Sequence, residues 1–511
     1  MRRRMKSYIV FTSRKGNTYI HDIKMKKTLP CHPILHSIIN EIEQGRDMAN
    51  RFDQPGEETF NIHGYGPASK AEVLYYYRKY LLLKENGYFS EIDPDGKFPG
   101  QLTPEDVKQS LANSPILTIE TTSRCGLSCM YCGYGKLYDN YGQRKNKNLS
   151  TKKAKQLLSY LQTLWNSPLS NSHDRVIYIG FYGGEPLLNF PFIEEMVRYL
   201  KDLKMAHHRF IYSITTNGLL LPKYMDFLQT HDFNLLISLD GNEKSNEYRT
   251  TASGKPSFPM LMKNLRALQD KYPDYFVKKV NFNAVVHNKN SVTGIFNFFK
   301  EHFNKSPRIS SLNTTGISET HKEEFWKTYA NVTDSLYNSE DYSHIEKEMF
   351  IKLPTIQALT TFLHHKTDLS FQDYNELLSS GNNTAAFPTG TCMPFAKKIF
   401  LTVAGKILVC ERIGQEHEVG CVTPTNVHID YDTIATVYNN HYDMMRQQCS
   451  RCYNADACSQ CIYHLPLQEE HPVCSGFMDR ETYSRYVASF INYIEEKPHL
   501  YRKIFKEVWV N

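Results

Sequence analysis

Between residues 116 and 286, five short apolar runs alternate with longer stretches whose apolar residues recur at helical spacing. The runs are Ile116–Thr121, Val176–Tyr182, Phe210–Ile214, Phe233–Leu239 and Val280–Val286. After Ser150, Leu157, Leu161 and Leu164 fall on one helix face, and comparable stretches separate the later runs. Repeated strand-helix units form a parallel sheet with right-handed crossovers, either a partial barrel or an open doubly wound sheet. In both, chemistry gathers at the carboxyl ends of the strands.

The core fills only part of a 511-residue chain, whose length suits about three domains. Hydrophobic residues at 41% and charged residues at 22% supply ordinary packed cores and exclude general disorder. Lys plus Arg number 60 against 54 Asp plus Glu, an excess too small and too evenly spread to form a polyanion-binding stripe. No apolar run reaches the ~18 to 20 residues of a membrane span. The basic start Met1–Lys6 leads only into the short Tyr8–Phe11, so no signal peptide is read and a cytoplasmic protein is expected. There is no internal repeat and no low-complexity tract.

Residues 1–95 read as a small module. Strands Ser7–Ser13 and Thr18–Ile23 flank the turn Arg14–Asn17, and a helix after Pro33 turns Leu35, Ile38, Ile39 and Ile42 inward. A second helix is expected from about Ser69 to Glu85, with Val73, Leu74, Tyr77 and Leu81 inward and Gly87 as its left-handed stop. Strands followed by helices at this size resemble a winged helix. Asp93–Gly100 has the Pro and Gly content of a linker, which is expected to run over 96–115. The strand-helix core is expected over 116–307 and a helical bridge over 308–390, with helices near Glu323–Leu336 and Tyr342–Leu353. A cysteine-rich domain over 391–480 and closing helices over 481–511 complete the chain.

Eight of the twelve cysteines crowd between Cys392 and Cys474, which suggests metal binding in a reducing compartment rather than disulfides. Cys31 stands alone and reads as an ordinary buried thiol. Cys125, Cys129 and Cys132 form C-x3-C-x2-C directly after the first core strand. Three thiolates on one loop fit a zinc knot completed by a distant histidine, or an iron-sulfur cube with one iron left open.

The second reading gains weight from Tyr131, the aromatic just before the last cysteine, and from motifs at later strand ends. These are Gly183-Gly184-Glu185-Pro186, Thr215-Thr216-Asn217-Gly218, Ser238-Leu239-Asp240-Gly241 and Arg249. Together they resemble the radical S-adenosylmethionine (SAM) enzymes. The resemblance implies a 4Fe-4S cluster on Cys125, Cys129 and Cys132 that binds SAM through its open iron. One electron then cleaves SAM, and a deoxyadenosyl radical takes a hydrogen atom from an unactivated carbon. Around the methionine moiety, Gly183 and Gly184 allow close backbone approach, Glu185 next to Pro186 accepts from its ammonium, and Arg249 offers a planar fork for its carboxylate. Thr216 shares the strand end with Asn217. Asn217, Ser238 and Asp240 suit the ribose hydroxyls, and Tyr131 suits the adenine.

Near the carboxyl end come Cys392, Cys410, Cys421, then Cys449-x2-Cys452-x5-Cys458-x2-Cys461, and Cys474. This resembles the SPASM extension of peptide-modifying radical SAM enzymes, which houses two auxiliary 4Fe-4S clusters; paired zinc sites share the C-x2-C spacing. By resemblance Cys392, Cys410 and Cys461 hold the nearer cluster, and Cys449, Cys452, Cys458 and Cys474 the farther one. Pairing arithmetic assigns Cys421 as the nearer cluster's fourth ligand. Glu411, beside Cys410, stands where some of these enzymes carry a general base, a role it could fill if burial raised its pKa.

The expected fold is therefore α/β, a partial (β/α)6 barrel radical SAM core with an N-terminal winged-helix-like leader-recognition module and a C-terminal cysteine-rich SPASM domain. The resemblance implies a maturase that binds a ribosomally made precursor peptide through its leader and installs a thioether or carbon-carbon crosslink. It would draw electrons from a donor such as flavodoxin or ferredoxin, and no nucleic acid or membrane partner is expected. Two alternatives stay open, an anaerobic sulfatase-maturing enzyme forming formylglycine and a non-catalytic zinc-stabilised binding protein.

Overall fold

A computed structural model describes residues 4–48, 58–94, 97–98, 100–139, 146–171, 175–340, 342–348, 353–367, 387–388, 392–458, 460–465, 467–468 and 471–507. Parts of the expected linker (95, 96 and 99), of the second bridging helix (349–352) and of the closing helices (508–511) lie outside the described residues. The chain forms two compact units, one of 1–101, 351–391 and 440–511, the other of 102–350 and 392–439. The expected cysteine-rich segment 391–480 is thus divided between them, and the tail 481–511 groups with the first 101 residues.

The second unit is built on a ten-stranded sheet. Its strands Ile116–Thr122, Arg175–Gly183, His208–Thr216, Asn234–Ser238, Val280–Val286 and Arg308–Ser311 lie side by side in sequence order, all parallel. The five expected runs are the first five of these, and the sixth, polar Arg-Ile-Ser-Ser, carried no apolar signal. Helices Thr151–Trp165, Phe190–Asp202, Leu221–Thr230, Phe258–Lys271 and Val292–Phe303 cross between strands and bury one face each, including Leu157, Leu161, Ile193, Val197, Leu265 and Phe299. On the other edge Ile399–Leu401 pairs parallel with the first strand, and Lys406–Leu408, Gly420–Val422 and Val427–His428 continue antiparallel. That pairing explains why 392–439 groups with the parallel core rather than with the later cysteines.

The first unit contains the front module. Tyr8–Thr12, Thr18–Asp22 and Lys27–Pro30 form an antiparallel sheet, followed by helix Pro33–Glu43, hairpin Thr59–Ile62/Gly66–Ser69 and helix Lys70–Glu85. The third strand and the hairpin were not evident from sequence. Ser69 and Glu72 close a capping box at the second helix, worth about 1 kcal/mol, and Gly87 takes φ +91° beyond its end. The inward face of that helix differs from expectation at Leu81, which is 39% exposed while Tyr80 is 6% exposed; Val73 is buried, and Leu74 and Tyr77 pack on the core as expected. In Tyr-Tyr-Tyr-Arg-Lys-Tyr-Leu-Leu-Leu several apolar stripes compete, and the core chooses Val73 and Tyr80, seven residues apart, with Tyr80 stacked on Phe89. Cys31 is buried, with its thiol pushed up to about 12 by burial.

Within the same unit Glu43 joins the front module to the tail helix Arg480–Glu496. It accepts from Arg480 at 2.7 and 3.3 Å and from the Tyr8 hydroxyl at 2.8 Å, and pairs with Lys6 at 2.9 Å. Burial raises the carboxyl, but Arg480, Lys6 and Tyr8 override it and bring it from 4.5 to about 2. A folded-state value below the unfolded one stabilises above pH 4.5 and loses that contribution as pH falls toward about 2. The groups are partly exposed, so Glu43→Gln should cost about 1–2 kcal/mol at neutral pH. In urea unfolding of the cluster-free protein, the gap between variant and wild type should close below pH 4; a gap that persists at pH 2 contradicts this pairing.

Among the described residues no helix is long and apolar enough to cross a membrane.

Candidate functional site

The first parallel strand slips register against its neighbour between Glu120 and Thr122, and the chain then turns into the loop bearing Cys125, Cys129 and Cys132. The loop is pinned along its length. Ser128 N–H donates to Thr250 O at 2.8 Å, Met130 N–H to Tyr248 O at 3.0 Å and Gly135 N–H to Cys132 O at 2.7 Å. Leu127 N–H reaches Cys125 Sγ at 3.4 Å, and Asn217 Nδ2 lies 3.8 Å from the same sulfur. Burial pushes the Cys129 thiol up to about 11 against the opposing pull of Arg249. Gly183 and Gly184 cross directly beneath the loop, where Gly184 N–H donates to Thr122 O at 2.9 Å and Glu185 N–H to Arg124 O at 2.7 Å.

The other sequence-predicted residues converge on this strand-end face. Glu185 is buried and caps the turn opened by Pro186. One carboxylate oxygen accepts from the Thr216 hydroxyl at 2.8 Å and Leu187 N–H at 3.1 Å, the other from Asn217 N–H at 2.8 Å. Burial raises its pKa despite these donors. Tyr131 stacks on His287 at 5.9 Å and gives its hydroxyl to Asp240, whose second oxygen accepts Val285 N–H at 2.9 Å. Arg249 donates Nη1 to the Tyr131 hydroxyl at 3.2 Å, while its buried Nε has no partner. Ser238 ends the fourth strand in the same layer.

A cavity of about 670 Å³ opens beside the loop. Tyr131, Cys132 and Tyr134 line one side, and Lys398, Glu411 and Arg412 another. Lys398 Nζ binds both Glu411 oxygens, at 2.8 and 3.0 Å. Burial raises Glu411, but Lys398 and Arg412 outweigh it and hold the carboxyl below its ordinary value. The condition attached to its role as a base is therefore reversed in sign, and Glu411 is an ionised carboxylate at neutral pH.

One residue that sequence reading overlooked supports these walls from behind. Buried Glu120 accepts from the Tyr134 hydroxyl and from Val403 N–H at 2.9 Å, tying the cysteine loop to the hairpin that leads to Cys410. The signal was present, since a carboxylate inside an apolar strand requires dedicated donors.

Of the later cysteines, Cys449, Cys452, Cys458 and Cys474 line one cavity of about 350 Å³, together with Gln448, Asn454 and Gln460. Buried Asn454 Oδ1 there has no partner. Among the described residues no group of three or more His, Cys, Asp or Glu side chains is arranged to hold a single metal ion. Cys392 and Cys421 are exposed and Cys410 is half-buried in the second unit, whereas Cys461 belongs to the first.

Residues 119–292 match the Radical SAM superfamily. The radical SAM cyclopropyl synthase TigE of Paramaledivibacter caminithermalis is 22% identical over 220 residues, 42% of this chain and 43% of TigE. A cysteine-type anaerobic sulfatase-maturating enzyme of Clostridium perfringens is 28% identical over 193 residues, 36% of this chain and 48% of that enzyme. The chain spans about half the length of the curated relatives it matches. The structure of native anSMEcpe with bound AdoMet superposes with a TM-score of 0.50 at 18% identity, covering 77% of this chain and 100% of that one, a likeness of fold. The chain carries a radical SAM domain. The proteins it resembles include a radical SAM cyclopropyl synthase and sulfatase-maturating enzymes, so residues 119–292 are a radical SAM domain with relatives among peptide- and sulfatase-modifying maturases.

Proposed function

We propose that this protein modifies a peptide by radical SAM chemistry at the cavity joining the cysteine loop to Glu411. That cavity is the observation that carries the reading. Its lining includes one thiol of the cysteine loop, Cys132, and the ionised carboxylate of Glu411, and about 670 Å³ accommodates a peptide residue. In this reading the parallel strands are a partial (β/α)6 barrel, residues 1–95 are a winged-helix-like module for the precursor's leader, and the cysteines from Cys392 onward form a SPASM domain.

The donors suit the cofactors. Three thiols sit on one loop, and Arg249 keeps a buried N–H for an incoming carboxylate. Cys125, Cys129 and Cys132 would hold the SAM-binding cluster, with Glu185, Asn217, Ser238, Asp240, Arg249 and Tyr131 around SAM. Cys449, Cys452, Cys458 and Cys474 would hold the farther auxiliary cluster, and Cys392, Cys410, Cys461 and Cys421 the nearer one. When bound, cluster and SAM together supply a carbon radical able to remove a hydrogen atom from the peptide. The chain's own work is to position and to take up protons. Tyr131, Asp240 and Arg249 brace one another, Glu185 fixes the third strand's end through Thr216 and Asn217, and Glu411 receives a proton as the product closes, its resulting neutral form still held near Lys398.

Glu411→Gln keeps the shape and removes the acceptor. Product formation should fall about 10²- to 10⁴-fold while SAM cleavage continues, read as deoxyadenosine against modified peptide by mass spectrometry. Wild-type turnover with intact clusters would remove the role.

The product formed is a thioether or carbon-carbon crosslink in this reading, with flavodoxin or ferredoxin as electron donor, a cytoplasmic setting and no nucleic acid. A second reading, formylglycine formation on a sulfatase, is favoured by the sulfatase-maturating relatives. Incubating the reduced, cluster-loaded protein with SAM and the peptide encoded beside its gene decides between them. A crosslink lowers the peptide's mass by a pair of hydrogen atoms, while an untouched peptide together with an aldehyde formed in a sulfatase peptide overturns the first reading in favour of the second.

A further inference from the structure

Lys366 ends the helix Pro354–Lys366, is 2% exposed, and its ammonium has no hydrogen-bond partner. Ala358 and Thr361 of the same helix line the cavity of Cys449, Cys452, Cys458 and Cys474, and the helix packs on the turn Ala455–Ala457 between those cysteines. The ammonium lies 5.5 Å from the Tyr483 ring centre, a contact worth far less than the cost of burying a charge. No ion pair involving it occurs among the described residues. Burial depresses Lys366 to about 8, and the groups pulling back upward include exposed Asp456 and Cys452 itself. His21 supplies no anion: burial, then the nearby lysine, lowers it to about 3 and leaves it neutral. A second cation stands close by, since Lys97 donates to Cys452 O at 2.8 Å. The helix carboxyl end contributes only a fraction of a negative charge. Lys366 is thus a buried cation with no hydrogen-bond or ion-pair partner among the described residues, on the helix that lines the cavity of four thiols. Four thiolates around an iron-sulfur cube carry the missing negative charge.

Resting on the assignment of an auxiliary cluster to these four cysteines, we propose that Lys366 is its counter-cation and sets its reduction potential. Taking up one electron makes a cluster more negative by one charge. A cation fixed in a poorly solvated interior therefore favours the reduced form and raises the potential, as net charge and surroundings do in iron-sulfur proteins generally. The residue touches neither substrate nor SAM, so it is a tuning residue and not a catalytic one.

Lys366→Met removes the charge at similar volume, and Lys366→Arg retains it. Both are made in full-length, cluster-loaded protein carrying Cys125→Ala, Cys129→Ala and Cys132→Ala, so that only auxiliary clusters titrate. In EPR-monitored potentiometry the farther cluster's midpoint should move to a more negative potential in Lys366→Met and stay near the parent in Lys366→Arg. Without metal, Lys366→Met should unfold at an equal or higher temperature, because it deletes an unpaired buried charge. A cluster that is present but keeps the parent midpoint in Lys366→Met overturns the inference alone. If the parent shows no second auxiliary signal, the cluster assignment falls and the inference with it.

Discussion

Replacing Cys125, Cys129 and Cys132 together by alanine is expected to remove about four of about twelve iron atoms and to abolish deoxyadenosine formation, by at least about 10³-fold. The size follows from the ligand chemistry. Thiolates hold such clusters, and the triple variant removes all three that this loop carries. The surrounding structure should persist, because the loop is pinned through backbone bonds to Thr250 and Tyr248 and not through its sulfurs. Absorbance near the visible cluster band should therefore fall by about a third while the unfolding transition of the sheet unit stays in place. Unchanged iron in the triple variant contradicts the assignment.

The second large effect comes from a residue that carries no functional group. A Cβ added at Gly184 would stand 2.2 Å from Arg124 O, 2.7 Å from Arg124 C and 2.9 Å from Ser123 O. All three are backbone atoms and cannot rotate away. To admit the methyl group the crossing must open, which breaks Glu185 N–H to Arg124 O and Gly184 N–H to Thr122 O and moves the residue next to Cys125. Gly184→Ala should cost about 3 kcal/mol or more, combining overpacking with lost buried hydrogen bonds, and should leave the loop unable to retain its cluster. Gly126→Ala is the control. It lies inside the cysteine loop, yet nothing stands within 4 Å of its added Cβ, so iron content should match wild type. Thermal unfolding with iron analysis of both variants reads the contrast, and equal behaviour of the two would contradict it.

Much of this was legible before any coordinates. Five strand runs, the order of their crossovers and the grouping of Cys125, Glu185, Asn217, Asp240 and Arg249 follow from apolar period and from motifs at strand ends. What was hidden depends on long-range partners. The sixth strand, Arg308–Ser311, is too polar to announce itself and forms because Val280–Val286 offers an edge. Tyr80 displaced Leu81 from the core because Phe89 stacks on it. Glu411 reversed its expected shift through Lys398, thirteen residues upstream across a hairpin. The division of 391–480 between two units follows from strand pairing with Ile116–Thr122 on one side. On the other, Cys449 and Cys452 pack with Phe98 and Met445. The front segment belongs to that same unit through Glu43 and Arg480, so trimming residues 1–95 would disturb the tail helix as well as any leader site. Point changes are the sounder probe.

The most direct measurement is the yield of deoxyadenosine and methionine from SAM on wild-type protein, reconstituted with iron and sulfide under strict exclusion of air and reduced chemically. Equal amounts of the two products, with about twelve irons per chain, are the expected result. A fully loaded, fully reduced protein that leaves SAM intact would contradict the reading of the Cys125, Cys129 and Cys132 loop.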